Sequence, residues 1–314
     1  MSIWKYAEQY NPIVDIAARI ENNAGNTELT QIEIDGHAVW LKREDQNPTG
    51  SHKDRSLAFQ LSAHIADGRQ DFVISSSGNS VISAANIVKQ LPNIKLNIFL
   101  SPKLSESKKA RLEKYLGSEI DISSKEPQLI GNITLHFSRR ALSDSFRFAK
   151  EHEYVLLRGS QDPYAVEGFK SLGYELLEQL PDITDIFMAT SSGTTLVGVA
   201  KSMTNVRVHA CQSSSINLIA SHFDRNFVPS ESSIADSIVD RVGHRKDEAI
   251  RVINESEGSG WVISDEEINN SLEMLKINGV NSSAEGALAL AAYRKAINSG
   301  WEISKPVCII SGIA

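Results

Sequence analysis

Short apolar stretches alternate with longer amphipathic stretches along most of this 314-residue chain. Buried parallel strands separated by helices produce this pattern, because such strands are apolar on both faces and each is followed by a helix. Strands are predicted at residues 29–34, 37–41, 94–100 and 119–122, and long helices at 164–180 and 284–298. The sequence therefore predicts an α/β fold of mostly parallel sheets flanked by helices. Because no linker rich in glycine, proline or serine divides the chain, any two lobes must be intertwined.

The charge balance and the cysteines exclude several classes of function. The net charge is -7 and no long basic run is present, which argues against a nucleic-acid or anionic-membrane partner. No apolar run approaches the roughly 20 residues that cross a bilayer, and the first residues lack the apolar core of a secretory signal. Cys211 and Cys308 each lie in an apolar run, so we expect buried free thiols and a cytoplasmic location.

Residues 41–55 predict a strand, a sharp turn and the start of a helix. Ser51 can cap that helix, with Asp54 completing the capping pattern. Lys53 then falls in the first turn, where the partial positive charge of the helix start favours the neutral amine. A neutral amine is the form that attacks an aldehyde. The same pattern also suits a solvated lysine at a helix end, and this stretch alone does not distinguish the two.

Three further polar loops follow predicted strands, where ligands bind in parallel α/β sheets. Residues 191–195 combine hydroxyls, one glycine and a helix start, which suits a phosphate or simply a helix cap. Residues 75–80 offer hydroxyls and the Asn79 amide, and Ser311 follows the last strand. His52 is the one histidine inside such a loop, and no metal-ligand cluster is evident.

This set of loops resembles the fold-type II pyridoxal-phosphate (PLP) enzymes, the tryptophan synthase β superfamily, and within it the threonine synthase branch. The similarity runs nearly end to end. The stretches that carry it are Gly25-Asn26-Thr27, Lys42-Arg43-Glu44-Asp45, Asn47 to Arg55, Ser76 to Asn79, Asp162 to Lys170 with Tyr174-Glu175, Ile234-Ala235-Asp236, residues 262–268 and Ala284 to Ala287.

The resemblance implies two lobes, a smaller one at residues 42–150 and a larger one at 1–41 and 151–314. It implies that Lys53 is catalytic and binds the PLP aldehyde covalently, and that a homodimer forms. The other roles it implies are Asn79 at the cofactor's 3-oxygen, Ser191, Ser192, Gly193, Thr194 and Thr195 at its phosphate, Ser311 at its pyridine nitrogen, and Ser77, Gly78 and Ser80 at the carboxylate of the amino-acid substrate.

One departure from the family pattern affects the choice of substrate. Gly159 stands where threonine synthases usually carry an asparagine that helps to hold the substrate phosphate. Basic residues that could replace it are Lys103, Lys108, Arg158 and Arg241, although each also suits a solvated basic face.

The expected activity is threonine synthase, from O-phosphohomoserine and water to threonine and phosphate. A serine/threonine dehydratase and a β-replacement enzyme similar to cysteine synthase are the alternatives within the same fold. A non-catalytic metabolite-binding protein is the alternative from a different class.

Overall fold

The computed structural model describes residues 2–76 and 78–313, which divide into two compact units. The larger unit contains residues 25–52 and 169–313, and the smaller unit contains residues 2–24 and 53–168. The divisions fall at 24/25, 52/53 and 168/169, whereas the sequence suggested 41/42 and 150/151. Residues 42–52 belong with the larger unit because the strand that precedes them is paired within its sheet.

A six-stranded sheet forms the centre of the larger unit. Its strands are β1 Leu29–Ile34, β2 His37–Lys42, β8 Asp185–Ala189, β9 Arg207–Ser213, β10 Ser259–Ile263 and β11 Pro306–Ile309. They lie in the order β1-β2-β11-β8-β9-β10, in which the first two strands form an antiparallel hairpin and the remaining neighbours are parallel. Strands β8, β9 and β11 are buried along nearly their whole length, as their continuous apolar runs predict.

Helices cover this sheet, and the alanine-rich α9 is buried along most of its length. The helices are α5 Pro163–Gln179, which begins in the smaller unit, α6 Thr194–Lys201, α7 Lys246–Glu255, α8 Asp265–Ile277 and α9 Ala284–Asn298. Ser264 and Glu267 form a capping box at the start of α8. Cys211 and Cys308 are buried free thiols, as expected.

The smaller unit is built on a five-stranded sheet. Its strands are β3 Asp71–Ser75, β4 Lys95–Leu100, β5 Gln128–Ile130, β6 Ile133–Phe137 and β7 Val155–Leu156, and its helices are α1 Lys53–Ala66, α2 Asn79–Val88, α3 Glu106–Leu116 and α4 Ala141–His152. The strands lie in the order β5-β6-β4-β3-β7, and among those described in this sheet only the β5–β6 pair is antiparallel. The predicted α/β class with mostly parallel sheets flanked by helices is thus confirmed.

The N-terminal arm packs on α1. Its residues Trp4 and Tyr10 place their rings 5.8 and 4.6 Å from the ring of Phe59. The Ile20 N–H also donates a 2.9 Å hydrogen bond to the Ser62 hydroxyl of the same helix. Because α1 is covered by this arm, the helix that begins at Lys53 is an interior helix whose residues 54–63 are all buried.

The strand predicted at residues 119–122 is wrong, because the structure has no strand there. Ile120 is buried as its apolar side chain suggests. Its N–H donates to the Glu113 carboxylate at 2.8 Å, and the Asp121 N–H donates to the Gln128 amide oxygen at 3.1 Å. Side-chain acceptors therefore satisfy this backbone in place of a sheet partner.

Candidate active site

Lys53, the candidate nucleophile, is the first residue of α1. Burial lowers the pKa of its amine from the usual 10.5 to about 8. Desolvation disfavours the charged ammonium, and the partial positive charge of a helix start acts in the same direction. The first turn of the helix is anchored because Asn22 Nδ2 donates a 3.0 Å hydrogen bond to the Asp54 carbonyl. Ser51 lies two residues before the helix, in a bridge to Gly312, and its capping role stays a prediction.

The loop after β3 leads directly into α2 within the same unit. Ser76 Oγ accepts a 3.2 Å hydrogen bond from the Gly78 N–H, which tightens the turn. The space beside Gly78 is open, since a Cβ added there would meet no atom within 4 Å. Asn79 and Ser80 form the first turn of the helix. Ser77 lies outside the described residues, so its predicted role stays a prediction.

The side chain of Asn79 has a buried amide oxygen without a hydrogen-bond partner. Its Oδ1 has no hydrogen-bond partner among the described residues. A buried polar atom left unpaired costs about 1–3 kcal/mol, and such atoms occur at sites that a ligand completes. Because the two ends of an amide are interchangeable in assignment, this position can present either a donor or an acceptor.

The loop after β8 shapes the candidate phosphate site in the larger unit. Gly193 has φ of 88°, and a Cβ added to it would lie 3.0 Å from Ala249 Cβ. Both the backbone conformation and the space therefore require glycine. The hydroxyls of Ser192 and Thr194 are 2.9 Å apart, and α6 begins at Thr194. The first N–H groups of a helix have no intrahelical acceptors, so this loop can bind an anion.

Ser191 also makes structural hydrogen bonds that the sequence does not reveal. Its Oγ accepts hydrogen bonds from the Val239 N–H at 3.1 Å and the Asp240 N–H at 3.2 Å. Asp240 Oδ1 in turn accepts from the N–H groups of Val242 and Gly243, at 2.9 and 3.0 Å. The hydroxyl proton of Ser191 remains the only donor of that group, so its oxygen serves the neighbouring segment while its O–H can serve a ligand.

Ser311 lies at the same edge of the larger sheet as the phosphate loop. It follows β11, and β11 is the parallel neighbour of β8, which precedes Ser191. The residue is 8% exposed, and in the described part of the chain its hydroxyl makes no hydrogen bond. Of the predicted site residues, the structure thus brings Ser311 and residues 191–195 together at one edge of one sheet.

His52 is fixed against the backbone of Ser311. Both its N–H and its Nδ1 contact the Ser311 carbonyl oxygen, at 3.1 and 2.8 Å. The imidazole also packs on the ring of Phe169, with 5.3 Å between the ring centres. The sequence shows only that His52 is the histidine inside a candidate loop, since the contact depends on a residue 259 positions away.

Several of the motif residues are structural and surround the buried carboxylate of Glu175. This carboxylate accepts from the N–H groups of Asn26 and Thr27, at 2.8 and 3.0 Å, and pairs with the ammonium of Lys42. Lys42 Nζ also donates to the Thr27 carbonyl at 2.7 Å. Thr27 Oγ1 donates to Glu44 at 2.7 Å. Together these contacts form the Glu175 clamp, which joins three of the motif stretches that are distant in sequence.

The basic residues suggested as substrate-phosphate ligands are placed as follows. Lys103 and Arg241 are exposed. Arg158 donates from Nε to the Ser160 hydroxyl at 3.1 Å and covers the Phe146 ring, 4.9 Å from its centre. Lys108 is half-buried in α3. None of these contacts by itself defines a second phosphate site.

Metal clusters and membrane-spanning helices are absent from the described residues. No group of three or more histidine, cysteine, aspartate or glutamate side chains there could hold a metal ion. Within residues 2–76 and 78–313, no helix combines the length and the apolar character needed to cross a membrane.

Residues 20–312 match the family of pyridoxal-phosphate dependent enzymes, and the chain belongs to that family. Its cofactor is therefore PLP, and the features above fit that group. They are the lysine of lowered pKa, the buried amide of Asn79 with an unpaired oxygen, the loop that only Gly193 permits, and the Ser311 hydroxyl.

Among curated proteins, the chain is similar to threonine synthases. It is 24% identical to that of Bacillus sp. (strain ULM1), covering 94% of this chain and 84% of the relative. It is 26% identical to that of Halalkalibacterium halodurans, covering 97% and 86%. The biosynthetic L-threonine dehydratase of Haemophilus influenzae is 25% identical, over 98% of this chain and 60% of the relative.

Among solved structures, maize serine racemase has a TM-score of 0.75 at 22% identity, covering 95% of this chain and 93% of that one. The processed form of threonine deaminase isoform 2 from Solanum lycopersicum has a TM-score of 0.73 at 18% identity, covering 99% and 84%. The predicted membership of the fold-type II PLP enzymes is confirmed.

Proposed function

We propose that this chain is a PLP-dependent lyase of amino acids, and specifically a threonine synthase that converts O-phosphohomoserine and water into threonine and phosphate. The observation that carries the catalytic assignment is the buried amine of Lys53, whose pKa is lowered to about 8. An amine of that pKa is a competent nucleophile and general base near neutral pH. The specific activity is supported by the threonine synthases among the relatives and by the motif at residues 162–170.

PLP supplies an electron sink that stabilises negative charge at the substrate's α-carbon. The chain's own residues bind and orient the reactants. Lys53 binds the cofactor aldehyde and then moves protons at the substrate's Cα and Cβ. The proposed contacts are Asn79 at the cofactor's 3-oxygen, Ser191, Ser192, Gly193, Thr194 and Thr195 at its phosphate, Ser311 at its pyridine nitrogen, and Ser77, Gly78 and Ser80 at the substrate carboxylate.

The hydroxyl of Ser311 sets how strongly the cofactor withdraws electrons. A neutral hydroxyl beside the pyridine nitrogen does not stabilise a protonated ring, as a carboxylate would. The site would therefore favour elimination and replacement over reactions that need the strongest electron withdrawal. The low exposure of Ser311 keeps water from competing for this hydrogen bond.

A serine/threonine dehydratase is the second candidate, and Gly159 is the observation that favours it. This residue has no side chain to contact a substrate phosphate, and a Cβ placed on it would meet only Ala165 Cβ, at 4.0 Å. The space beside Gly159 therefore does not itself exclude a larger residue. A substrate without a phosphate group needs no ligand at that position.

A panel of substrates tests these proposals on the purified holoenzyme. We expect phosphate release from O-phosphohomoserine with threonine as the product, and none from Lys53→Ala. Release of pyruvate or 2-oxobutyrate from serine or threonine, with no phosphate release, would identify a dehydratase. Conversion of a single enantiomer into a racemic mixture would identify a racemase. A protein that binds PLP but turns over none of these would reject the threonine synthase assignment and support a binding protein.

Two further parts of the proposal concern assembly and location. A homodimer is expected from the resemblance, and light scattering on the holoenzyme should then give about twice the 34.5 kDa chain mass. A cytoplasmic location is likewise a prediction, which fractionation of the native cells would check.

A further inference from the structure

The carbonyl oxygen of Ser311 accepts two hydrogen bonds from one residue. The main-chain N–H of His52 donates at 3.1 Å, and Nδ1 of its imidazole lies 2.8 Å from the same oxygen. A carbonyl can only accept, so Nδ1 must carry the proton. The side chain of His52 is therefore held in one tautomer or is doubly protonated, and in both cases it donates to Ser311.

The imidazole has little freedom to leave this position. His52 is 9% exposed, and its ring packs on Phe169 with a tilt of 34° between the two planes. Phe169 is itself only 2% exposed, so it is a fixed surface for the His52 ring. A ring confined in this way loses little additional entropy when it makes its hydrogen bond, so the bond is more favourable than one from an exposed histidine.

The backbone on both sides of this contact is paired. Before Ser311, the Ile310 N–H donates to the Lys42 carbonyl at 2.9 Å, and after it the Ile313 N–H donates to the Gly50 carbonyl at 3.0 Å. The second of these bonds, together with the main-chain bond from His52 to Ser311, makes the antiparallel bridge between Ser51 and Gly312. Between the two paired positions, the Ser311 carbonyl accepts its hydrogen bonds from His52.

The Ser311 hydroxyl, in contrast to the Ser311 carbonyl, is available for a ligand. The residue is 8% exposed, and its hydroxyl makes no hydrogen bond to any residue that the structure describes. The backbone sets the direction of the Cα–Cβ bond that carries this hydroxyl, and the hydroxyl rotates about that bond. A change in the orientation of the adjoining peptide would therefore move the hydroxyl.

We propose that His52 is a positioning residue, which holds the Ser311 peptide so that the Ser311 hydroxyl is aimed at the pyridine nitrogen of PLP. The proposal rests on the proposed role of Ser311. In this arrangement the residue immediately before the nucleophilic lysine also orients the group at the far end of the cofactor ring.

Two substitutions of His52 separate the hydrogen bond from the packing. His52→Asn keeps an N–H donor at the position of Nδ1, whereas His52→Phe keeps the ring against Phe169 and removes the donor. We expect His52→Phe to bind PLP about fivefold more weakly, the loss of one neutral hydrogen bond, and to shift the absorption maximum of the bound cofactor. His52→Asn should stay within about twofold of the parent protein, with the parent spectrum.

A double-mutant cycle with Ser311→Ala shows whether His52 acts through Ser311. PLP is titrated into the dialysed full chain and into each variant, with its absorption spectrum as a second readout. In the Ser311→Ala background, His52→Phe should cause no further loss and no further spectral shift. An equal loss in both backgrounds, a parent-like His52→Phe, or a His52→Asn as weak as His52→Phe would each overturn the proposal.

Separate controls distinguish the proposed role of His52 from a folding defect and from a wrong functional assignment. If His52→Phe does not fold, His52→Gln replaces it, because the amide donor of glutamine lies one bond further out than that of asparagine and misses the Ser311 carbonyl. The His52→Gln variant should then bind PLP about fivefold more weakly than the His52→Asn variant. No substrate is used, so failure of the threonine synthase assignment would leave these readings unchanged. A Ser311→Ala variant with parent affinity and spectrum would instead show that Ser311 does not face the cofactor nitrogen, and would overturn the role of His52 with it.

Discussion

The lowered pKa of Lys53 predicts how fast the chain captures its cofactor at each pH. With a pKa of about 8, roughly 9% of the amine is neutral at pH 7, against about 0.03% for a lysine of pKa 10.5. The neutral fraction is thus enriched about 300-fold. Since the ammonium form does not attack an aldehyde, the rate of covalent PLP addition should rise about ninefold from pH 6 to 7 and about fivefold from pH 7 to 8, and level off near pH 9.

Rapid-mixing absorbance measurements on the PLP-stripped chain, from pH 6 to 9.5, test this prediction. The rate of PLP addition to Nα-acetyl-lysine is measured in the same buffers as a reference. Because the titration of PLP itself affects both rates equally, it cancels in their ratio. The ratio of the two rates should fall from about 300 at pH 7 to about 30 at pH 9, after a common scaling, because the free amine continues to deprotonate. Lys53→Ala should show no covalent addition. A midpoint near 10 would refute the claim that burial neutralises Lys53.

Three further perturbations test the clamp and the phosphate loop. Glu175→Ala leaves a buried ammonium without its carboxylate and should lower the free energy of unfolding by about 3–5 kcal/mol. Glu248→Ala, in a half-exposed ion pair, should lower it by less than about 1 kcal/mol, and equal losses would contradict the clamp. Gly193→Ala should weaken PLP binding at least tenfold. Gly36→Ala, at a similar φ of 80° but with open space around it, should leave PLP binding unchanged. Equal effects on PLP binding would mean that backbone strain alone matters. Ser191→Ala should speed hydrogen exchange at the amides of residues 239 and 240, and unchanged exchange would show that its acceptor role is dispensable.

The elements near the site could be predicted from local patterns. The strand predicted at residues 29–34 is β1, Leu29–Ile34, and Lys53 does fall in the first turn of a helix. Both depend on periodicity and turn chemistry, which act over a few residues. The loops after β3, β8 and β11 were identified for the same reason, since a polar loop after a buried strand marks a ligand edge.

The remaining features depend on residues far apart in sequence. The contact of His52 with Ser311 spans 259 positions, and the Glu175 bond to Asn26 spans 149. Ser191 as an acceptor for Val239 could not be inferred, because a serine hydroxyl in a loop has many equivalent partners. The false strand at residues 119–122 has the same origin, since the apolar pattern reports burial but not the identity of the hydrogen-bond partner.

The Glu175 clamp sets a rule for exchanging segments between related chains. A chimaera with a junction between residue 47 and α5 would inherit the ammonium of Lys42 from one parent and the carboxylate position from the other. Where the second parent lacks an acid at that position, the chimaera buries an unpaired charge although each segment is sound in its own parent. Recombination libraries in this family should therefore carry residues 26–44 and the second half of α5 as a single block.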